Sequence, residues 1–314
     1  HEIDKPLYKI KLRSGREVKV TGSHSVMVFK DGNITSKKVE DLTKEDYIVI
    51  NKLIDSNKKA IKEINLVEKF LNNCPQGILK KIYVKMDNKA KYYTLWGRKY
   101  GTSSLSHYDK RTKLSEDARI GLKAATNLTV PYKLNISKEL SRLLGYFVSE
   151  GFYYMSKFRN GDVKLTFGIH EKYLVKDSAI CIERCFGVKP KIIRDKSKST
   201  LTVQFGSKLF AYIFKYALEC TTGAGEKRVP YLVFNLKEDF QKEFLKGYFL
   251  GDGSLYDKNK NTVIAFTSKS KALMSDVSLL LSLNNIPVHK ISTIVKKRRM
   301  IKNKVAKESI LYGI

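Results

Sequence analysis

Apolar and polar residues alternate along the first fifty positions, which predicts β-strands. Residues 8–20 alternate around a Ser14-Gly15 turn, and residues 24–34 alternate around Asp31-Gly32, so each stretch is expected to form a β-hairpin. Residues 37–50 then predict a short helical turn followed by one more strand. The N-terminal part of the chain is therefore expected to be all-β.

Residues 53–135 differ from the N-terminal part in their pattern of apolar and polar residues. Residues 56–73 show helical periodicity, and the predicted helix stops near Pro75. The stretch 92–125 mixes aromatic side chains with Lys and Arg, and we expect it to form short helices with a serine-rich cap between them. This segment is interpreted as a basic insertion, since it contains no motif of its own.

From about Ile136 onward the apolar pattern repeats. Residues 143–154 align with residues 245–256, and at an offset of 99 residues Phe167 aligns with Phe266. Each copy predicts a helix, a β-hairpin, a second helix and further strands, and such a duplication predicts a pseudo-two-fold axis with the two repeated helices on it. The expected domains are 1–52, 53–135, 136–235 and 236–314.

The net charge of the sequence indicates which class of binding partner to expect. The 314 residues include 60 Lys and Arg against 31 Asp and Glu, a formal net charge of +29. Because such an excess destabilises a compact chain by self-repulsion, we expect a polyanionic partner, with nucleic acid favoured over an anionic membrane. No apolar run is long enough to span a bilayer, and no signal peptide opens the sequence. The four cysteines include no CxxC pair, which argues against a zinc site and fits a reducing compartment.

Each of the two repeated helices is predicted to end on an acidic residue that is followed by glycine. The first, SRLLGYFVSEGFYY, ends on Glu150-Gly151, and the second, EFLKGYFLGDGSLY, ends on Asp252-Gly253. A single such end is usually structural, because glycine adopts the left-handed conformation that closes a helix. The duplication favours a site instead, since an anion opposes the dipole at a helix C-terminus and two converging carboxylates beside phosphate call for a divalent metal. The residues predict a metal-dependent phosphodiesterase that acts on a duplex.

The same two stretches resemble the signature motifs of a single-chain LAGLIDADG homing endonuclease of the intein-encoded type. The resemblance covers about residues 136–300 and implies an α+β fold, in which two αββαββα units pack their motif helices together and hold two sheets over DNA. It implies that Glu150 and Asp252, with the backbones of Gly151 and Gly253, hold two or more Mg²⁺ ions. The implied reaction is cleavage of both strands of a long asymmetric site in double-stranded DNA.

A third motif lies between the two acidic ones. GAGEKRVPYLVF, residues 223–234, resembles the Lys-x-[Ile/Val]-Pro block of intein endonucleases. The resemblance implies that Lys227 lies near the first active site, where it helps to activate water or steadies transition-state charge. An ordinary phosphate-contacting lysine is the alternative, and Lys290 is a candidate for the counterpart in the second half.

Basic residues in the insertion and in the strands of both repeats are the expected DNA contacts. The insertion is interpreted either as an accessory DNA-recognition module or as a packed spacer. Strand residues near 157–166, 200–205 and 258–266 would read bases in the major groove, whereas the run 295–299 would contact backbone phosphate. The residues singled out are Arg98, Lys99, Lys110, Arg111, Lys157, Arg159, Lys164, Lys258, Lys260, Lys296, Lys297 and Arg298.

The N-terminal hairpins carry a fourth motif. VKVTGSHSVMVF, residues 18–29, resembles the intein block Thr-x-x-His, which implies a partial all-β Hint-like splicing domain. In that family Thr21 and His24 would polarise the peptide bond at the N-terminal splice junction; in isolation, a Thr and a His in a hairpin are usually strand residues. Because the chain starts at His1 and its end, KESILYGI, lacks a His-Asn pair, we expect that it does not splice.

Three functional hypotheses follow. The first is site-specific double-strand cleavage of DNA by a monomer with internal pseudo-symmetry, in the cytosol or nucleoid of a prokaryote and without a membrane partner. The second is a catalytically silent nucleic-acid-binding protein, a maturase or a regulator, on the same scaffold. The third is peptide-bond chemistry by Thr21 and His24.

Overall fold

The computed structural model describes most of the chain, in two compact units. The described residues are 5–50, 60–85, 102–108, 114–122, 125–156, 160–258, 261–288, 290–296, 299–301, 304–306 and 309–314. Unit 1 combines His1–Asn57 with Thr267–Ile314, and unit 2 is Lys58–Phe266. The domain boundaries given above remain predictions.

The N-terminal part of unit 1 is all-β, as predicted. Its strands are β1 (Leu7–Lys11), β2 (Glu17–Thr21), β3 (Ser25–Lys30), β4 (Asn33–Lys38) and β5 (Tyr47–Ile48). Both predicted hairpins are confirmed: β1 pairs with β2, and β3 lies between β4 and β5. Asp31 (φ 49°) and Gly32 (φ 81°) are both left-handed, as a type I′ hairpin turn requires. A 3₁₀ turn at Val39–Asp41 confirms the predicted helical turn.

Unit 2 begins with small sheets and short helices. Its first elements are β6 (Glu63–Asn65), α1 (Leu66–Asn73), α2 (Gln76–Leu79), β7 (Ile82–Lys85), β8 (Thr102–Ser104), β9 (Arg119–Leu122), β10 (Ala125–Pro131) and β11 (Lys133–Asn135). Four of the strands form an antiparallel sheet in the order β10-β9-β7-β8, and β11 pairs with β6. The fully buried Ile82, Val84 and Ile120 form the core side of that sheet.

Two helix predictions in this region are wrong in part: residues 66–73 are helical as predicted, and Leu105–His107 forms a short 3₁₀ helix within the stretch 92–125. Residues 63–65 form a strand that pairs with β11, and the helix begins only at Leu66, where the Asn65 side chain accepts a hydrogen bond from Glu68 N (3.2 Å). Residues 102–104 and 119–122 form strands rather than short helices, because their partners lie far away in sequence and local periodicity carries no trace of them.

The first repeat follows the αββαββα order that the resemblance implied. Its elements are α3 (Lys138–Glu150), β12 (Gly151–Met155), β13 (Gly161–Gly168), α4 (Lys172–Phe186), β14 (Lys191–Asp195), β15 (Thr200–Phe205) and α5 (Lys208–Tyr212). The four strands form one antiparallel sheet in the order β12-β13-β15-β14. A π-helical turn at Ile213–Ala217 follows α5, and its buried Phe214 contacts the rings of Phe147 and Phe205 in the core.

The second motif helix also belongs to unit 2. It is α6 (Glu238–Asp252), and the strands β16 (Gly253–Lys258) and β17 (Asn261–Ser268) follow it as a hairpin. The predicted alignment of the two repeats is visible in their ring contacts. Tyr146 lies 5.9 Å from Phe167 between ring centroids, and the aligned Tyr248 lies 5.3 Å from the aligned Phe266.

The remaining elements belong to unit 1. They are α7 (Lys271–Leu283), β18 (Ser292–Lys296), β19 (Arg299–Ile301), β20 (Lys304–Ala306) and β21 (Ser309–Gly313). Within unit 1 the end of β17, Thr267 and Ser268, pairs with β21, which also pairs with β18, and β19 and β20 form a separate hairpin. The α+β fold class is confirmed. No helix in the described part of the chain is long and apolar enough to cross a bilayer.

Candidate metal centre

The two motif helices touch through their glycines. A Cβ atom added to Gly145 of α3 would lie 2.2 Å from the carbonyl oxygen of Phe244, and one added to Gly247 of α6 would lie 2.3 Å from the carbonyl oxygen of Arg142. Both distances are far too short for any side chain. The backbones of α3 and α6 therefore meet directly, which only glycine permits.

The contact continues to the ends of the helices. A Cβ atom on Gly251 would lie 2.1 Å from Ser149 Oγ and 3.2 Å from Glu150 Cγ. Gly251 immediately precedes Asp252. Asp252 is the last residue of α6, and Glu150 is the last residue of α3. The structure thus brings the two acidic helix ends side by side.

Both glycines after the acids adopt an extended backbone rather than the left-handed one that commonly closes a helix. Gly151 has φ −94° and ψ 151°, and Gly253 has φ −79° and ψ 157°. Their N–H groups donate to the carbonyl oxygens of Phe147 and Phe249. An added Cβ would lie 2.6 Å from Phe147 O in one case and 2.4 Å from Phe249 O in the other. Glycine therefore serves close packing here, and each helix passes straight into a strand.

Burial sets the charge state of the two acids. It raises the pKa of Glu150 to about 7, with the neighbouring Asp252 carboxylate adding to the rise and Lys227 opposing it. Burial also raises the pKa of Asp252 to about 6, again with Lys227 opposing. Loss of hydration disfavours a charged carboxylate, and a second carboxylate close by disfavours it further. The pair carries negative charge that the protein compensates only in part.

Lys227 is the cation that the fold supplies to this pair. Its Nζ donates to the carbonyl oxygen of Ser149 in the last turn of α3 (2.5 Å), a position where positive charge complements the helix dipole. Burial lowers the pKa of Lys227, and the charges of Asp252 and Glu150 oppose that fall. The buried Val229 and Pro230 that follow hold the segment in place. All three residues predicted from the acidic and lysine motifs are therefore neighbours.

The donor set fits a hard divalent cation. Two partly desolvated carboxylates offer the oxygen ligands that Mg²⁺ prefers, and Mg²⁺ takes few protein ligands because it keeps water and phosphate oxygens in its shell. Gly151 and Gly253, predicted as backbone ligands, begin the strands next to the two acids. The described residues contain no group of three or more His, Cys, Asp or Glu side chains that could hold a metal on its own.

One functional-site neighbour was missed in the sequence. Arg142 of α3 donates through Nη1 to Glu243 Oε2 of α6 (2.6 Å), and its Nε lies 2.8 Å from Asp177 Oδ2 of α4. Tyr146 OH donates to the same Asp177 oxygen (2.8 Å). Arg142 therefore ties both motif helices together, and the repeat alignment places Phe244 at the matching position of α6. The available signal was an arginine next to the apolar run that follows it in the helix.

Three of the twelve residues predicted to contact DNA lie in the described part of the chain. Lys164 lies on β13, with Nζ 3.3 Å from Asp162 Oδ2 and 5.9 Å from the ring centroid of Phe152. The backbones of Lys258 and Lys296 lie in β16 and β18. The others fall outside the described residues: Arg98, Lys99, Lys110, Arg111, Lys157, Arg159, Lys260, Lys297 and Arg298.

The fourth motif forms a turn in unit 1. Thr21 ends β2, and the N–H of His24 donates to the Thr21 carbonyl oxygen (3.1 Å). The His24 carbonyl oxygen accepts from Val39 N (2.8 Å), while its side chain is exposed. The structure therefore holds Thr21 and His24 on either side of one turn. Lys290 lines a cavity elsewhere in the same unit.

Comparisons with known proteins extend across most of the chain. The family model described as intein splicing domain matches residues 1–297. An uncharacterized protein of Methanocaldococcus jannaschii is 29% identical over 303 residues, which cover 89% of this chain and 33% of that protein. The DNA polymerase II large subunit of Thermococcus kodakarensis is 26% identical over 291 residues, 88% of this chain and 15% of that protein. The chain thus spans a third or less of the length of these relatives.

The homing endonuclease I-DmoI in complex with DNA and Ca aligns with a TM-score of 0.39 and 20% identity, over 56% of this chain and 81% of that chain.

Proposed function

Because the chain belongs to the intein splicing domain family, we propose that it is the endonuclease-bearing part of an intein and makes site-specific double-strand breaks in DNA. The observation that carries the proposal is the convergence of Glu150 and Asp252 at the ends of two helices in backbone contact. A net charge of +29 supports a polyanionic substrate.

In this mechanism Glu150 and Asp252 would hold a divalent metal, with the backbones of Gly151 and Gly253 as further ligands. When bound, such a metal would supply water activation and stabilisation of the leaving oxygen of the scissile phosphodiester. Lys227 Nζ, held by the Ser149 carbonyl, places positive charge beside both acids, where it stabilises negative charge that develops on a phosphate. The same lysine limits the repulsion between the two carboxylates before substrate arrives.

Substrate binding is assigned to the sheets of the repeats. Phe152 and Tyr154 are exposed on β12, and Lys164 is half-exposed on the adjacent β13. Strand side chains of this kind can enter the major groove of a duplex and contact base edges and phosphates. The recognised site would be long and asymmetric, since the two repeats differ in sequence.

The test is a Mg²⁺ titration with supercoiled plasmid that carries the uninterrupted host-gene junction. Wild type is expected to linearise the plasmid only with divalent metal. Glu150→Gln and Asp252→Asn are expected to abolish cleavage and leave duplex binding intact or tighter, because each removes an anion near phosphate. Glu139→Gln is the matched control, since Glu139 lies in the first turn of the same helix and pairs with Arg184 (2.6 Å).

Two outcomes would redirect the proposal. An Asp252→Asn variant that cuts at the wild-type rate would remove the acids from the mechanism. Tight duplex binding without cleavage in any metal would favour the silent binding protein instead. Splicing chemistry by Thr21 and His24 is a separate proposal. Ligation of reporter domains fused to both ends of the chain would support it if His24→Ala abolishes that ligation.

A further inference from the structure

Unit 1 contains a strongly basic cavity that the proposed nuclease chemistry does not use. It has a volume of about 450 Å³ and lies between the turn of the first hairpin and the segment that enters the edge strand β18. Its charged lining residues are Lys11, Arg13, Glu17, Lys271 and Lys290. Four cations therefore face one carboxylate.

Backbone contacts fix the two walls of the cavity. Ile291 N donates to the Ser14 carbonyl oxygen (2.7 Å), which docks the hairpin turn on the segment before β18. Gly15 has φ +83°, and a Cβ on it would lie 2.1 Å from Ile291 O, so no other residue would allow this approach. Arg16 Nη2 donates to Ser282 Oγ of α7 (3.0 Å) on the other side of the turn. The cavity is thus preformed by the fold.

Glu17, the carboxylate in the cavity lining, already forms ion pairs with two lysines. Glu17 Oε2 lies 3.1 Å from Lys9 Nζ, and Glu17 Oε1 accepts from Lys271 Nζ. Hydrogen bonds from these two lysines lower the pKa of Glu17 to about 2, so it stays ionised and paired. No carboxylate in the described part of the chain lies within ion-pair distance of Lys11, Arg13 or Lys290. Within the described residues, no carboxylate therefore neutralises the positive charge of Lys11, Arg13 and Lys290.

The remaining lining groups match an oxyanion. The hydroxyl-bearing residues Thr293 and Tyr312 also line the wall, as does Ser292, whose hydroxyl donates to the Gly313 carbonyl oxygen (3.3 Å). An arginine fork, lysine point charges and hydroxyl donors are the groups that recognise the tetrahedral oxygens of phosphate. A diffuse basic surface would also attract anions, but it would lack a fixed concave wall with donors of three kinds.

We propose that this cavity binds a phosphate group, supplied either as free inorganic phosphate or as a backbone phosphodiester of DNA. The second source rests on the proposed DNA-binding function, whereas the first does not. In either case Arg13 and Lys290, on opposite walls, provide the principal charge.

The experiment compares Arg13→Ser/Lys290→Ser with Lys19→Ser/Lys30→Ser, which removes two exposed lysines of unit 1 that do not line the cavity. Inorganic phosphate is titrated into each protein in calorimetry. In parallel, binding of a fluorescent duplex is measured over a range of KCl concentrations. Circular dichroism checks that each variant is folded, which is expected because all four positions are exposed.

Saturable phosphate binding that is lost only in Arg13→Ser/Lys290→Ser would support the free-phosphate source. A salt-dependence slope that falls by about 1 or more only in that variant would support a DNA phosphate contact, because one contact contributes about 0.9 to the slope. Equal behaviour of the two variants in both assays overturns the proposal. If no duplex binds any protein, the proposed DNA function fails while the phosphate titration still decides the cavity.

Discussion

Replacing Glu150 by glutamine is expected to stabilise the metal-free protein at alkaline pH. The side chain keeps its shape and loses the charge that burial and Asp252 disfavour. The gain follows from the burial of two neighbouring carboxylates, whose unfavourable charge Lys227 offsets only in part.

The magnitude follows from the pKa of Glu150. One pKa unit corresponds to about 1.4 kcal/mol, so a rise from 4.5 to about 7 corresponds to about 3 kcal/mol. Because solvent reaches part of the side chain and screens its charge, we expect Glu150→Gln to add about 1 to 3 kcal/mol to the free energy of unfolding at pH 8.

The sign of the pH dependence is set by proton binding. Between pH 4.5 and about 7 the folded protein keeps a proton on Glu150 that the unfolded chain has released. The stability of wild type therefore falls as pH rises through this window. At pH 4 the carboxyl group is mostly protonated in both states, and most of the advantage of the glutamine variant is lost.

The assay is urea denaturation in EDTA at pH 4 and pH 8. Glu139→Gln provides a control of opposite sign, because the hydrogen bond from Arg184 lowers the pKa of Glu139 and its charged form stabilises the fold at pH 8. Added Mg²⁺ should stabilise wild type more than Glu150→Gln. An equal gain at both pH values, or no gain at pH 8, would refute the argument.

Three further predictions follow from the contacts around the acids. Gly247→Ala places a methyl group 2.3 Å from the Arg142 carbonyl oxygen, so we expect a loss of about 1 to 3 kcal/mol in urea denaturation, whereas Gly77→Ala, with open space around it, should not destabilise. A double-mutant cycle of Arg142→Met and Glu243→Gln should show coupling of about 1 to 3 kcal/mol, since both side chains are largely buried; additive effects would contradict the link between the helices. Lys227→Met should raise the pKa of both Glu150 and Asp252 in carboxyl ¹³C titrations, and unchanged values would show that the lysine charge does not reach them.

Short-range sequence patterns predicted the elements that are determined by residues close together in the chain. The two N-terminal hairpins are encoded in consecutive turn residues, Ser14-Gly15 and Asp31-Gly32, and they formed as predicted. The helix predicted over residues 56–73 was wrong where residues 63–65 pair with β11, about seventy residues away. Hydrophobic periodicity describes one segment at a time and carries no information about the distant strand with which that segment pairs.

The sequence by itself determined the duplicated motif helices, the acid at the end of each, and the large positive charge. The resemblance also implied that Lys227 lies near Glu150, and the structure added that its charge acts on both acids. Only the tertiary structure decided that Arg142 joins three helices and that Arg13 and Lys290 line one cavity. The physical reason is that a side chain's environment depends on which surfaces meet. Here the surfaces meet where Gly145 and Gly247 remove the Cβ atoms that would otherwise keep two backbones apart.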